Sequence, residues 1–146
     1  MSKAKQIGTR AETAVKNALL AAGYSPLEAH RNVLKGSQDE GDVWLRTTNH
    51  GLIVFEVKGG DSAKKASYEQ IKKWFQEADT EKTNAQASYG FLVTQRAGVG
   101  YPRAGEWWAY ARLEDLVYLQ TLLTTYRETN PIVRLTLNEL VAILNG

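Results

Sequence analysis

The stretch Leu52-Ile53-Val54-Phe55-Glu56-Val57-Lys58 is the most apolar strand-like run in the chain, and it ends in the chain's single Glu-x-Lys triplet. Because side chains alternate along a strand, Glu56 and Lys58 share one face while Phe55 and Val57 take the other. Two charged groups closing an otherwise apolar strand need a reason: a metal, a mutual pair or an exposed rim. Val43 to Arg46 reads as a partner strand, joined through the turn-rich tetrad Thr48-Asn49-His50-Gly51, and the two predict an antiparallel hairpin. Asp42 opens that partner strand. If Thr48 pairs with Leu52, Asp42 lies opposite Lys58 and shares a face with Glu56; if Thr48 pairs with Gly51, Asp42 points away. The turn should therefore hold an odd number of residues, unless a bulge re-aims Asp42 at the strand end.

Around this hairpin the remaining elements fall into one domain. Thr9-Arg10-Ala11-Glu12 has capping-box spacing, and Ala11, Ala14, Val15, Ala18, Leu19 and Ala22 recur at helical intervals up to Gly23. A loop with Pro26 follows, and the short-chained polar segment 36–42 is predicted to be a mobile connection. Ser67-Tyr68-Glu69-Gln70 opens a second helix with Tyr68, Ile71, Trp74, Phe75 and Ala78 on its apolar side and Lys72 and Lys73 on its wet side. Tyr89 to Gln95 predicts a strand, Arg96 to Gly105 a loop, Glu106 to Ala111 an aromatic strand, and Leu113 to Tyr126 and Thr136 to Leu144 helices. No repeat or linker interrupts the chain. The expectation is a single α/β domain over residues 1–146, with a mixed central sheet flanked by helices. A chain of 146 residues is long enough to hide about two thirds of its unfolded surface, so a rigid site needs no stapling metal or disulfide.

Composition narrows the chemistry. With no Cys, disulfide frameworks, thiolate zinc sites and cysteine nucleophiles are all excluded. With only His30 and His50, a multi-histidine metal site is excluded too, and neither is assigned a role. A catalytic base would have to be a carboxylate, a lysine or a metal-bound water. Lys plus Arg total 18 against 16 Asp plus Glu, a net charge of +2 too small to announce a polyanionic partner. Its distribution says more. Lys3, Lys5, Arg10, Lys16, Arg31 and Lys35 dominate the first 35 residues, whereas Asp39, Glu40, Asp42, Glu56 and Asp61 crowd residues 36–61. A basic entry beside an acidic pocket fits metal-assisted work on a polyanion, since carboxylates tolerate phosphate only with a cation between them. No apolar run approaches membrane-spanning length, and the start Met1-Ser2-Lys3-Ala4-Lys5-Gln6 is polar, so the expectation is a soluble cytoplasmic protein with no membrane partner.

Two oxygen ligands from different strands, with a backbone carbonyl and waters, make a hard-cation site of the kind Mg²⁺ or Mn²⁺ takes. Lys58 beside it would orient a water or offset phosphate charge. The competing reading is a salt bridge on an exposed edge. Glu12 follows equally from its capping box or from a place near the site, and Gln70 from a cap with Ser67. Lys3, Lys5, Arg10, Arg31, Lys35, Lys64, Lys65, Arg96 and Arg103 form the basic supply for substrate contacts, each individually explained by solubility. The absence of a base-reading motif points to recognition of shape rather than sequence.

Gly41-Asp42-Val43 followed by Val54-Phe55-Glu56-Val57-Lys58 resembles the PD-(D/E)XK nuclease superfamily, with Gly41 in place of the family's proline. With a Glu in the first helix and a Ser/Asp-containing loop before Asp42, the chain is similar to the archaeal and phage Holliday-junction resolvase branch over roughly residues 8–95. The resemblance implies a restriction-endonuclease-like αβββαβ core; the domain is read as that core over 8–112 followed by C-terminal helices over 113–146. It further implies a Mg²⁺-dependent DNA endonuclease, with Mn²⁺ able to substitute. On it, Asp42, Glu56, Glu12 and the Val57 carbonyl serve the metal, Lys58 and Gln70 belong to the catalytic set, and Ser37 and Asp39 lie in a catalytic loop. Four-way junctions have two-fold symmetry, so it also implies a homodimer with paired centres. Phage origin would place it in the host cytoplasm. The same fold could instead act on single strands, ends or a restriction-type site, or bind DNA without cutting it.

Overall fold

In the computed structural model, which describes residues 2–32, 42–119 and 131–146, the elements run α1 (Lys3–Ala21), β1 (Ala29–Arg31), β2 (Val43–Thr47), β3 (Gly51–Lys58), α2 (Asp61–Lys64), α3 (Tyr68–Ala85), β4 (Tyr89–Thr94), a 3₁₀ segment (Tyr101–Glu106), β5 (Trp108–Arg112), α4 (Leu113–Leu119), β6 (Ile132–Thr136) and α5 (Leu137–Asn145). The six strands form one sheet in sequence order. Only β3 and β4 are parallel, and every other neighbouring pair is antiparallel. A parallel pair cannot be joined by a tight turn, and α3 supplies the crossover. The chain is thus α/β with a mixed sheet between helices.

The two faces differ. On one, Leu45, Ile53, Phe55, Phe91 and Ala109 pack beneath α1, α5 and the 3₁₀ segment, with Trp107 fully buried among them. On the other, Ile71 and Phe75 of α3 cover Leu92. β3 and β4 lie in the middle and are buried along nearly their whole length, as their near-continuous apolar sequences require. α3 reaches the sheet closely because Gly90 leaves room: a Cβ there would meet the Ala78 carbonyl oxygen at 2.8 Å and the Lys82 Cβ at 2.9 Å.

Several expectations are corrected. α1 starts six residues earlier than the Thr9 box, because Ser2 caps it by accepting from the Lys5 N–H at 3.2 Å and Gly8 is tolerated inside. Glu12 is therefore mid-helix and caps nothing. The loop after Pro26 contains the short strand β1, and the expected loop 96–105 folds into the 3₁₀ turn from Tyr101. The C-terminal stretch is not all helical: Ile132-Val133-Arg134-Leu135-Thr136, rich in β-branched residues, adds β6 to the sheet edge. Residues 120–126 of the expected helix, and Lys35, Ser37 and Asp39, lie outside the described residues. The Thr136 capping box is present, with both reciprocal bonds. Among the described residues no helix is long and apolar enough to cross a membrane.

Because α3 can approach only a bare backbone at Gly90, Gly90→Val should push the helix off the sheet. We expect a loss of about 1–3 kcal/mol in urea unfolding, the usual range for overpacking.

Candidate active site

The β2–β3 turn sets the geometry. Thr47 pairs with Gly51, leaving residues 48–50 as a three-residue loop. The Thr47 hydroxyl accepts from His50 N–H at 2.9 Å and donates to the Gly51 carbonyl at 3.0 Å, while Gly51 takes the positive φ of 69° that closes the turn. The odd-numbered turn matches the parity that the alternation demands, one residue earlier than Thr48–Leu52 pairing. Val43 pairs with Phe55, so Asp42, just beyond the ladder, comes beside Glu56 rather than Lys58. Asp42 is held there at both ends: its N–H donates to the Phe55 carbonyl at 3.0 Å, and its Oδ2 accepts from the Val57 N–H at 2.8 Å.

Glu56 is 4 % exposed. Burial, reinforced by a hydrogen bond to and the charge of Glu81, pushes its carboxyl up to about 8, against the lowering influence of Asp42 and Lys58. Burial beside a second carboxyl thus favours the protonated form of Glu56. Lys58 Nζ stands 4.0 Å from Glu56 and 2.9 Å from Glu77. Burial works to lower the ammonium's pKa, but Glu56, Glu77 and Asp42 outweigh it, and the net shift is upward. Lys58 stays charged. The edge-pair reading is met in part: Lys58 does pair with a partly exposed carboxylate, Glu77 of α3, whereas Glu56 itself is buried.

Glu12 reaches the same cleft from α1. Gly59, at the end of β3, lets the helix lie directly on the strand, since a Cβ there would come within 2.6 Å of the Ala11 Cβ. Burial and then the charge of Asp42 raise the Glu12 carboxyl, and Arg31 opposes them from 3.5 Å. The cleft, of about 570 Å³, is lined by Glu12, Asp42, Glu56, Lys58 and Glu77, with the Val57 backbone on its floor.

The other sequence candidates scatter. Gln70 lines an adjoining hollow with Lys65 and Trp74, and its N–H donates to the Ser67 hydroxyl at 3.2 Å, as the cap reading anticipated. Lys3 and Lys5 are exposed on either side of Ala4, which borders the cleft, and Lys64 and Lys65 are exposed next to its rim residues Asp61 and Ser62. Arg10 and Arg103 lie on the opposite flank of α1, the first over Tyr101 at 4.3 Å, the second in a two-bond pair with Glu106 at 2.7 and 2.8 Å. Arg31 is engaged by Glu12. Arg96 sits over Trp108 at 4.0 Å. Sequence reasoning missed Glu77 and Glu81. The signal was present: Ile71, Trp74, Phe75 and Ala78 mark a buried stripe whose next position is Glu81, an acid where an apolar residue is due.

Among the described residues no three His, Cys, Asp or Glu side chains form a group that could hold a metal by themselves. Asp42, Glu56 and the Val57 carbonyl are hard oxygen donors opening on a solvent-filled cleft, and that set fits an ion such as Mg²⁺, which keeps several waters and takes one or two carboxylates. It does not fit a closed cage. No family model matches the chain, and no curated protein or solved structure does either.

The raised Glu56 pKa makes a stability prediction. A buried acid with a folded pKa near 8 and an unfolded value near 4.5 costs progressively more stability as pH rises between those values, and nothing below them. Glu56→Gln cannot ionise, so its melting temperature in EDTA should match wild type at pH 5 and exceed it by about 3 °C or more at pH 9.

Proposed function

We propose that the cleft is the active centre of a divalent-metal-dependent DNA endonuclease of the restriction-endonuclease-like fold, acting on branched DNA such as Holliday junctions. The observation that carries this reading is the register that sets Asp42 beside Glu56, with Lys58 at the end of the same strand and on the same face. The order helix, three antiparallel strands, crossover helix and parallel strand supports it, as does the arrival of Glu12 from α1.

In this reading Asp42, Glu56 and the Val57 carbonyl hold Mg²⁺ or Mn²⁺, and Glu12 supports it across the cleft. Such an ion, when bound, supplies Lewis-acid stabilisation of the charge that grows on a phosphate under attack. Lys58, kept protonated by Glu77, brings a fixed positive charge to the same phosphate and holds a water by hydrogen bonding. Glu77 is a positioning residue, since it holds the ammonium, at 2.9 Å, from the cleft wall. Glu56 must release its proton before it can bind an ion. Lys3, Lys5, Lys64 and Lys65, exposed and close in the chain to cleft-lining residues, would meet an approaching DNA backbone. A homodimer would present two such centres to a two-fold junction.

Incubation of labelled four-way junction, duplex and single strands with the protein in Mg²⁺ or Mn²⁺ tests the activity and its substrate range together. We expect junction cleavage that Glu56→Ala and Asp42→Asn each reduce by at least about 10²-fold, a loss of roughly 3 kcal/mol of transition-state stabilisation. No cleavage with either ion, or full activity of Glu56→Ala, would overturn the catalytic reading. Preference for single strands or ends would redirect the substrate. Since the ion competes with a proton on Glu56, the Mg²⁺ concentration giving half-maximal cleavage should fall as pH rises from 6.5 to 8.5. Titration of the rate at fixed pH steps measures this directly.

A further inference from the structure

On the same face of the sheet as the acidic cleft stands a second charged feature. Lys58 pairs with Thr94 and Thr94 with Trp108, so Trp108 lies in the same transverse row as Lys58, two strands away or roughly 10 Å. Paired residues point to the same face, which puts the Trp108 indole on the α3 side. Arg96 and Arg134 both stack on this ring, each guanidinium carbon 4.0 Å from the ring centre. The indole thus gathers two guanidiniums from different elements around one ring. Arg134 arrives from β6, diagonal to Trp108, because Tyr110 pairs with Arg134 and Trp108 with Thr136.

Neither charge in this stack is held in an ion pair, although the Glu106 carboxylate lies near enough to Arg96 for its pKa to be lowered by it. Among the described residues neither guanidinium has a carboxylate within 4.0 Å; the other ion-paired arginines, Arg31, Arg103 and Arg112, each have one. Arg96 donates instead to the Glu106 carbonyl at 3.2 Å, which orients it without cancelling its charge. Holding two cations against each other costs free energy that an anion between or beyond them returns. The indole is already engaged by two guanidiniums. It is a spacer, and what it presents is a pair of planar, always-charged forks suited to phosphate oxygens.

We propose that Arg96, Trp108 and Arg134 form a clamp for the phosphate backbone of DNA, gripping the strand whose scissile bond lies in the acidic cleft. This rests on the endonuclease reading for its substrate. Contact through phosphates alone makes the clamp indifferent to sequence.

Binding is measured apart from cleavage, by fluorescence anisotropy of end-labelled duplex and four-way junction in EDTA, over 50 to 300 mM salt. Arg96→Gln and Arg134→Gln should each weaken binding about 5- to 10-fold at low salt and each reduce the slope of log affinity against log salt by about 1, independently of DNA sequence. Trp108→Ala, which removes the spacer, should weaken binding by more than either. Lowered melting temperatures with unchanged affinity and salt slope in the two Arg→Gln variants would overturn the clamp and leave the stack a purely structural feature. Wild-type protein that binds no DNA at low salt would overturn it as well. If the wild type binds, the arginine variants weaken binding and no ion supports cleavage, the clamp stands while the nuclease reading falls.

Discussion

The register of the β2–β3 hairpin is the constraint on which the candidate site depends. A strand offers only two faces, and a slip of one residue would send Asp42 to the side covered by α1 and leave Glu56 alone on the other. The pairing is held by local chemistry at the turn, where the Thr47 hydroxyl is shared between His50 and Gly51. It is also held at the far end, where Asp42 itself bonds the Val57 N–H. The group that belongs to the proposed site is thus part of what keeps the site in register. A carboxylate in that role also explains how an acid can lie next to buried Glu56: backbone N–H donation stabilises its charge.

The second constraint is α3, which turns a strand end into a cleft. A lone Glu56 with 4 % exposure would be a costly buried acid. Glu81 adds its charge beside it, Glu77 holds the neighbouring Lys58, and both come from α3. The raised Glu56 carboxyl favours a proton where the proposed chemistry needs a cation. This is a coherent resting arrangement: one positive charge is required among closely packed carboxyls, and the proton satisfies that requirement until a stronger, divalent claimant displaces it.

Charge on the surface divides in the same way. Where arginines meet carboxylates, as with Arg103 and Glu106 on the far flank of α1 or Arg31 and Glu12 at the cleft edge, their positive charge is consumed within the fold. Where they meet an indole, as around Trp108, no carboxylate of the described residues pairs with them. The net charge of +2 conceals this difference. What a polyanion would encounter depends on which cations are already paired, and pairing is a property of neighbours.

Whatever depended on the backbone's own period was legible in the residues alone. Alternation put Glu56 and Lys58 on one face and the stripe Ile71-Trp74-Phe75-Ala78 marked the buried side of α3, whereas the register that brings Asp42 beside them was left open between two pairings and was fixed by the turn. The strands β1 and β6 escaped because three- and five-residue edge strands carry too little periodicity to separate from loop or helix flank. The misplaced start of α1 has a similar cause: Ser2 and Thr9 both carry capping chemistry, and only the folded chain selects between them. Glu77 and Glu81 at the site, the capture of Arg31 by Glu12, and the stacking of Arg96 and Arg134 on Trp108 all join residues from different elements. Those meetings were decided by the tertiary structure, because side-chain direction within an element follows from local geometry, whereas the partner across a gap is set by how the elements pack.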